Sequence, residues 1–303
     1  MSAGTSPPST RGASAKTAEP RSTGFLLLTL ARVFRRRLGK FGVIATAALV
    51  VMAVAASLLA PYSPYVQHEG QELRAPSTKY LLGTDEFGRD ILSRVVHGSR
   101  ISFLVGMVSV LLGVAVGVTS GLVAGSWGGW VDVLTMRFYD ALMAFPAILL
   151  GIAVATVLGP GVINAAIAVG IVSMPQFARI ARAAMLAEKA KEYVSAARTL
   201  GASDTRIIFR HVLPNASSPV LVQMSLAMAF AVLLEASLSF LGLGAHPPEP
   251  SWGSMFNTSR AFLRRAPWYG IAPGVFLSLL LLALNLLADA VRDALDPRQI
   301  NLG

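Results

Sequence analysis

The chain has 303 residues, is 54% hydrophobic and 14% charged, with mean hydropathy +0.60 and a formal net charge of +10. A soluble globular domain carries about 25% charged residues, so this composition excludes one. The lack of any Cys also excludes disulfides, thiolate metal sites and cysteine nucleophiles.

Residues 1–24 are rich in Ser, Thr, Ala, Pro and Gly without an apolar period, which predicts a disordered tail over 1–30. Arg32, Arg35, Arg36, Arg37 and Lys40 then lead into an uncharged run, Phe41 to Ala60. Twenty helical residues cover about 30 Å, the thickness of a bilayer's hydrocarbon core, so this run reads as a retained membrane anchor. Such continuous apolar runs predict helical spans over 41–60, 101–125, 133–156, 161–178, 218–242 and 270–289. Gly159-Pro160-Gly161 divides the third of these spans from the fourth. The expected fold is an all-α membrane protein of six spans with both termini cytoplasmic. With that orientation 18 of the 26 Lys and Arg residues lie inside, as the positive-inside rule requires. The grouping of basic residues beside apolar runs thus points to topology and membrane lipid, not to nucleic acid.

The first outer segment, 61–100, contains LGTDEFGRDILSRVVHGSRISF. Asp85, Glu86 and Asp90 nearly cancel Arg89, Arg94 and Arg100, while Gly83 and Gly88 mark turns. An ion-paired loop capping the outer mouth is one reading, and a cation held with His97 is the other. Ile91, Leu92, Val95 and Val96 predict a short amphipathic helix before the second span. That span carries Gly113, Gly117, Gly121 and Gly125 at intervals of four, a stripe that admits a close helix neighbour, within the chain or from a partner. Phe145-Pro146 predicts a kink in the third span, because proline lacks the N–H.

The stretch from Pro175 to Pro219 is the long polar insertion of the C-terminal half. Leu186, Ala190, Tyr193, Ala197 and Leu200 recur at helical steps and predict one helix face. Gly201 stands where a helix ends in a left-handed residue, and Ser203 or Asp204 can cap a second short helix, Thr205 to Val212, closed by Pro214. In the fifth span Glu235 interrupts an uncharged stretch from Val212 to Pro248. A carboxylate there is a pathway or gate candidate, or reaches the outer interface. Trp252, with Gly253 and its neighbouring prolines, suits a rigid segment at the outer face.

Several of these stretches resemble one family. Ala196-Ala197, Gly201, Val212 and Leu213-Pro214 resemble the cytoplasmic loop of ABC-importer permease subunits, with Ser195 where that motif usually has Glu and His211 where it usually has Ile. Leu82-Gly83-Thr84-Asp85 with Gly88-Arg89-Asp90 is similar to a signature of the dipeptide, oligopeptide and nickel branch. So are Leu238 to Gly244 with Pro250-Ser251-Trp252-Gly253, and the C-terminal run from Asn285 to Arg298. The resemblance covers roughly residues 30 to 300 in four separated motifs.

It implies a type I permease domain over 99–290, preceded by a first helix and outer segment over 31–98 and followed by a cytoplasmic tail over 291–303. It also implies a second permease, two cytoplasmic ATPase subunits holding ATP and Mg, and an extracytoplasmic solute-binding protein. The docking contact would be made by Ser195, Ala196, Ala197, Gly201, Ala202, Asp204, Leu213 and Pro214, with peptides as the expected cargo. No G-x-x-x-x-G-K-S/T loop, H-E-x-x-H or G-x-S-x-G occurs, so no catalytic, cofactor or metal site is expected in this chain. A transporter driven by an ion gradient, with Glu235 and Asp289 titrating, is the alternative. An intramembrane enzyme is disfavoured by the missing motifs.

Overall fold

A computed structural model of the protein describes residues 37–295. The expected tail over 1–30, and Asp296, Pro297 and Arg298, lie outside them. Among the described residues every named element is helical, and the only extended pairing is an isolated bridge between Thr84 and Asp90.

The first apolar run is not one helix: α1 (Arg37–Val54) and α2 (Ala56–Leu59) are separated at Ala55. The break frees carbonyls, and Arg100 takes them. Its Nε donates to Ala53 O at 2.7 Å, and its Nη2 donates to Val54 O at 3.1 Å and Ser57 Oγ at 3.2 Å. A cation from 46 residues away thus satisfies a helix end that local pattern presents as continuous.

The amphipathic turn and the second span are likewise not separate. They form one helix, α3 (Ile91–Trp127), whose 37 residues rise about 55 Å. Asp90 caps its start, accepting from Ser93 N at 2.8 Å and Ser93 Oγ at 2.6 Å.

The third expected span is broken rather than kinked: α4 (Gly129–Met143) and α5 (Ala147–Leu158) meet at 95°. Pro146 has no N–H to continue α4, and its carbonyl opens α5 by accepting from Leu150 N at 3.0 Å. The expected break at 159–161 is present, with Gly159 and Gly161 both at positive φ.

Three further long segments complete the bundle. α6 (Val162–Lys189) runs well past residue 178 and carries Arg179, Arg182 and Lys189 beyond the apolar part. α7 (Glu192–Thr199), α8 (Asp204–Ile207) and a π-helical turn (Ile208–Val212) lead into α9 (Leu213–Phe240). Pro214 therefore opens α9 instead of closing the short helix, since the first turn of a helix has no use for its missing N–H. α10 (Trp252–Ser259) and α11 (Pro267–Leu295) follow.

By length and composition α3, α6, α9 and α11 are able to cross a membrane, the bent α4–α5 pair would make a fifth span, and Leu38–Val54 is apolar but shorter. Two buried clusters organise the packing. One joins α3, α6 and α9 through residues such as Val118, Phe177 and Ala231, and the other joins α1, α3, α10 and α11 through Leu49, Val95, Trp252 and Leu280. The glycine stripe of α3 lies wholly against α6: a Cβ on Gly117 would stand 2.5 Å from Met174 O, and one on Gly121 would stand 2.9 Å from Ala178 Cα. Gly113 and Gly125 face Phe177 and Met185 in the same groove.

Candidate functional site

At one end of the bundle the stretch from Gly83 to Asp90 folds around a single carboxylate. Asp85 is fully buried and accepts through Oδ1 from Phe87 N and Arg89 N, both at 2.9 Å. Its Oδ2 accepts from Arg89 Nε at 2.6 Å and lies 3.3 Å from Arg94 Nε. Arg89 also reaches Glu86 at 3.1 Å, and Arg94 donates to Pro64 O at 3.0 Å. A buried charge persists only when paired and hydrogen-bonded, and here two guanidiniums share one carboxylate and a second completes the balance. Gly83 and Gly88, at φ 77° and 71°, let the loop close, and a Cβ on Gly83 would stand 2.5 Å from Arg74 O. His97 Nδ1 lies 2.9 Å from Ser93 O, one turn back along α3. The geometry of this loop is that of an ion-paired turn.

The second outer motif packs directly on the first helix of this anchor. Trp252 is fully buried, not placed at a lipid interface as its residue type suggests, and its indole N–H donates to Val95 O at 2.9 Å. Gly98 makes room for the ring, a Cβ there standing 3.0 Å from Trp252 Cδ1. Gly253 of α10 packs against α9, where a Cβ would stand 2.8 Å from Ser239 Cβ and 2.9 Å from Ala236 C.

One residue before Ala236 is Glu235, which is 1% exposed. Its side chain is packed inside the subunit. Its Oε1 accepts from Ser239 Oγ at 2.7 Å, and Ser239 Oγ in turn accepts from Ala245 N at 3.3 Å. Ser102 of α3 faces the same carboxyl, though neither Ser102 Oγ nor Glu235 Oε2 completes a well-formed hydrogen bond. The carboxyl thus links α9, through Ser239, to the segment leading to Trp252 from inside the subunit.

The bend between α4 and α5 opens a cleft of about 310 Å³ with α6 and α9. Phe145 and Pro146 line it, together with Leu142, Pro175, Gln176 and Phe230. Gln223 Nε2 donates to Gln176 Oε1 at 2.7 Å on its rim. Sequence reasoning passed over both glutamines, although each is a polar residue in an apolar helix and visible as such.

At the opposite end the polar insertion departs from the expected continuous helix. α6 stops at Lys189, where Glu188 accepts from Lys191 Nζ at 2.5 Å and from the Tyr193 hydroxyl, closing a turn before α7. The buried residue of α7 is Val194, whereas Leu186, Tyr193 and Leu200 are exposed, so the face built on them is not the packed one. Gly201 has φ 83° with nothing within 4 Å of a Cβ, so it is required by conformation and not by space. Ala202 N bonds Ala197 O at 3.0 Å across that turn, and Ser203 caps α8 by accepting from Arg206 N at 3.4 Å.

Ile207 and Val212 are buried with Val194 in the bundle core, while Ser195, Ala196, Gly201, Asp204 and Pro214 are exposed, and Ala202 and Leu213 are partly so. Arg179 and Arg182 are not merely solvated: Arg182 pairs with Asp132 through two contacts of 2.5 Å and Arg179 with Asp140 at 2.7 Å, tying α6 to α4. Lys189 donates to Gly125 O at 3.2 Å and to Ser126 O, capping the end of α3.

An all-helical bundle with several membrane-length helices, an ion-locked segment at one end, a broken helix beside a cleft and a helical loop at the far end has the architecture of a membrane transport subunit. Residues 117–301 match the family described as binding-protein-dependent transport system inner membrane component, and residues 24–76 match the N-terminal TM domain of oligopeptide transport permease C. The chain belongs to this family of ABC-importer permeases and is a multi-pass protein of the inner membrane.

Among its relatives is the dipeptide transport system permease protein DppC of Alkalihalophilus pseudofirmus, 41% identical, with 87% of each chain covered. The di/tripeptide transport system permease protein DppC of Pseudomonas aeruginosa is 43% identical over 84% of this chain and 86% of that one. The glutathione transport system permease protein GsiD of Pectobacterium atrosepticum is 45% identical over 82% and 83%. In fold the chain is similar to the inward-facing MetNI methionine ABC transporter, with TM-score 0.56 and 17% identity over 68% of this chain and 98% of that chain. The family sets aside the ion-gradient alternative; Asp289 is exposed on α11, away from a buried partner site of the kind Glu235 has.

Proposed function

We propose that this chain is one of two permease subunits of an ATP-driven importer of di- and oligopeptides, coupled through the loop around Gly201 to ATPase subunits in the cytoplasm. The observation that carries the coupling is the contrast within that loop. Val194, Ile207 and Val212 are sunk in the bundle core, while Leu200 and Phe209, 87% and 66% exposed, stand out at the Gly201 turn and just beyond α8. Large apolar side chains held on a rigid polar base at the aqueous end of a membrane bundle are suited to a partner protein.

In this reading six spans cross the membrane, α1 and the bent α4–α5 pair included, with both termini on the side of the loop. The first helix and outer segment occupy 31–98, the permease domain 99–290 and a cytoplasmic tail 291–303. The docking contact is made by Ser195, Ala196, Ala197, Gly201, Ala202, Asp204, Leu213 and Pro214. ATP and Mg bind two partner ATPase subunits, and an extracytoplasmic binding protein delivers cargo to the outer end of the bundle, which Gly83, Asp85, Gly88, Arg89, Asp90, Trp252 and Gly253 hold together from within. Phe145, Pro146 and Glu235 serve the pathway or gate between the two permeases, Glu235 acting from within α9. The names of the relatives, covering dipeptides, di/tripeptides and glutathione, support peptides as cargo.

Closure of the ATPase pair would pull the loop, and the Arg182–Asp132 and Arg179–Asp140 pairs would carry that pull from α6 to α4 and the bend at Pro146. The test is reconstitution of the chain with its second permease, ATPases and binding protein in proteoliposomes. ATP-dependent peptide uptake that is lost in Gly201→Val is expected. Uptake that persists without ATP and collapses with an uncoupler refutes the assignment.

A further inference from the structure

We propose that Gln176 and Gln223 form a contact station for the peptide bond of the cargo as it passes the cleft at the α4–α5 bend. The inference rests on the import of peptides proposed above. Gln176 lies halfway along α6, in its last uncharged turn before Arg179, and Gln223 lies on the facing side of α9. Their mutual hydrogen bond uses one donor and one acceptor. The remaining amide hydrogens of Gln176 Nε2 and the Gln223 carbonyl oxygen make no other hydrogen bond among the described residues, and Gln176 is exposed on the cleft.

An amide pair within an apolar helical region is costly against lipid, and is retained where it meets a cavity or a polar partner. A passing peptide bond offers that partner, since its carbonyl accepts from Gln176 and its N–H donates to Gln223. The rest of the lining is uncharged, with Phe145 and Phe230 beside Leu142 and Pro175, so it discriminates little between cargo side chains. The nearest charge along α6, Arg179, is neutralised by Asp140 at 2.7 Å. A site that reads the backbone and ignores the side chain is what a carrier of varied peptides requires.

The experiment uses the whole reconstituted assembly with Ala-Ala, Ala-Ala-Ala and glutathione as probes. Failure of the wild type to take up all three with ATP overturns the functional assignment itself. With the transported probe, the double variant Gln176→Leu, Gln223→Leu is expected to lower uptake per ATP about tenfold, because two hydrogen-bonding groups are lost together. ATPase stimulation by loaded binding protein is expected to stay within about twofold of wild type. Gln176→Met, Gln223→Met, closer in shape, repeats the measurement should the leucine variant fail to assemble.

An ester analogue of the probe, with its peptide N–H replaced by oxygen, supplies the specific readout. Wild type transports it more slowly than the amide, and the double variants lose that difference, the binding protein being the same in both. Unchanged uptake per ATP, or an ester-to-amide ratio equal in wild type and variants, overturns the proposal. So does separation of the two permeases on gel filtration in both double variants, which would assign the amides to the subunit interface.

Discussion

The indole nitrogen of Trp252 and the carbonyl of Val95, 157 residues apart in sequence, are joined by a hydrogen bond of 2.9 Å in a fully buried site. That bond fastens the outer segment between α9 and α11 to the first turns of α3, the helix that Asp90 caps and Arg94 ties to Asp85. Trp252→Phe keeps most of the packing and leaves the carbonyl without the indole donor, so it should destabilise by about 1–2 kcal/mol. Trp252→Ala should cost about 3–5 kcal/mol through the cavity it leaves. Melting followed by circular dichroism in detergent checks the order, and equal losses in the two variants would deny the hydrogen bond a separate contribution.

The Gly201 turn makes a sharper distinction. A Cβ there meets nothing within 4 Å, so only the left-handed backbone, φ 83°, resists a side chain. Gly201→Asn, which tolerates that conformation, should retain most coupled ATPase activity, while Gly201→Val should lose it, the strain being on the order of 1–2 kcal/mol. Equal activity in the two variants would show that the turn's conformation is not what the partner reads.

Asp132 and Arg182 permit a test by exchange. Asp132→Arg alone sets like charges face to face on α4 and α6 and should reduce transport per ATP. The double exchange Asp132→Arg, Arg182→Asp should restore much of it, with a coupling energy of about 1 kcal/mol because both groups are partly exposed. Absence of any restoration would mean the pair does not link the two helices.

The glycine stripe is graded. Gly121→Ala places a methyl group against the backbone of Ala178, which cannot retreat without moving α6, and should cost about 1–3 kcal/mol. Gly113→Ala meets the Phe177 ring at 3.1 Å, a side chain able to turn, and should be milder. Thermal stability of the two variants decides the matter, and a reversed order would contradict the packing of α3 on α6.

Glu235 separates anchoring from proton chemistry. Glu235→Gln keeps an oxygen for Ser239 Oγ and should preserve both stability and transport. Glu235→Leu leaves the Ser239 hydroxyl unmatched in a buried site and should cost about 1–3 kcal/mol. Loss of transport in Glu235→Gln with stability intact would instead give the carboxylate a titrating role.

Much of this protein follows from its sequence. The long apolar runs fix it as a helical membrane protein, because unpaired backbone cannot be left in hydrocarbon. A cap at Ser203 or Asp204, Gly201 as a helix terminus and the break at 159–161 were legible because each is a local backbone requirement, satisfied within a few residues. Three relationships were decided only in three dimensions. The break at Ala55 depends on Arg100, the ion pairs of α6 depend on Asp132 and Asp140 of α4, and the burial of Trp252 and Glu235 depends on α3 lying beside them. A charge or an indole can meet its partner only where folded helices bring it, and no period along the chain records which helix that will be.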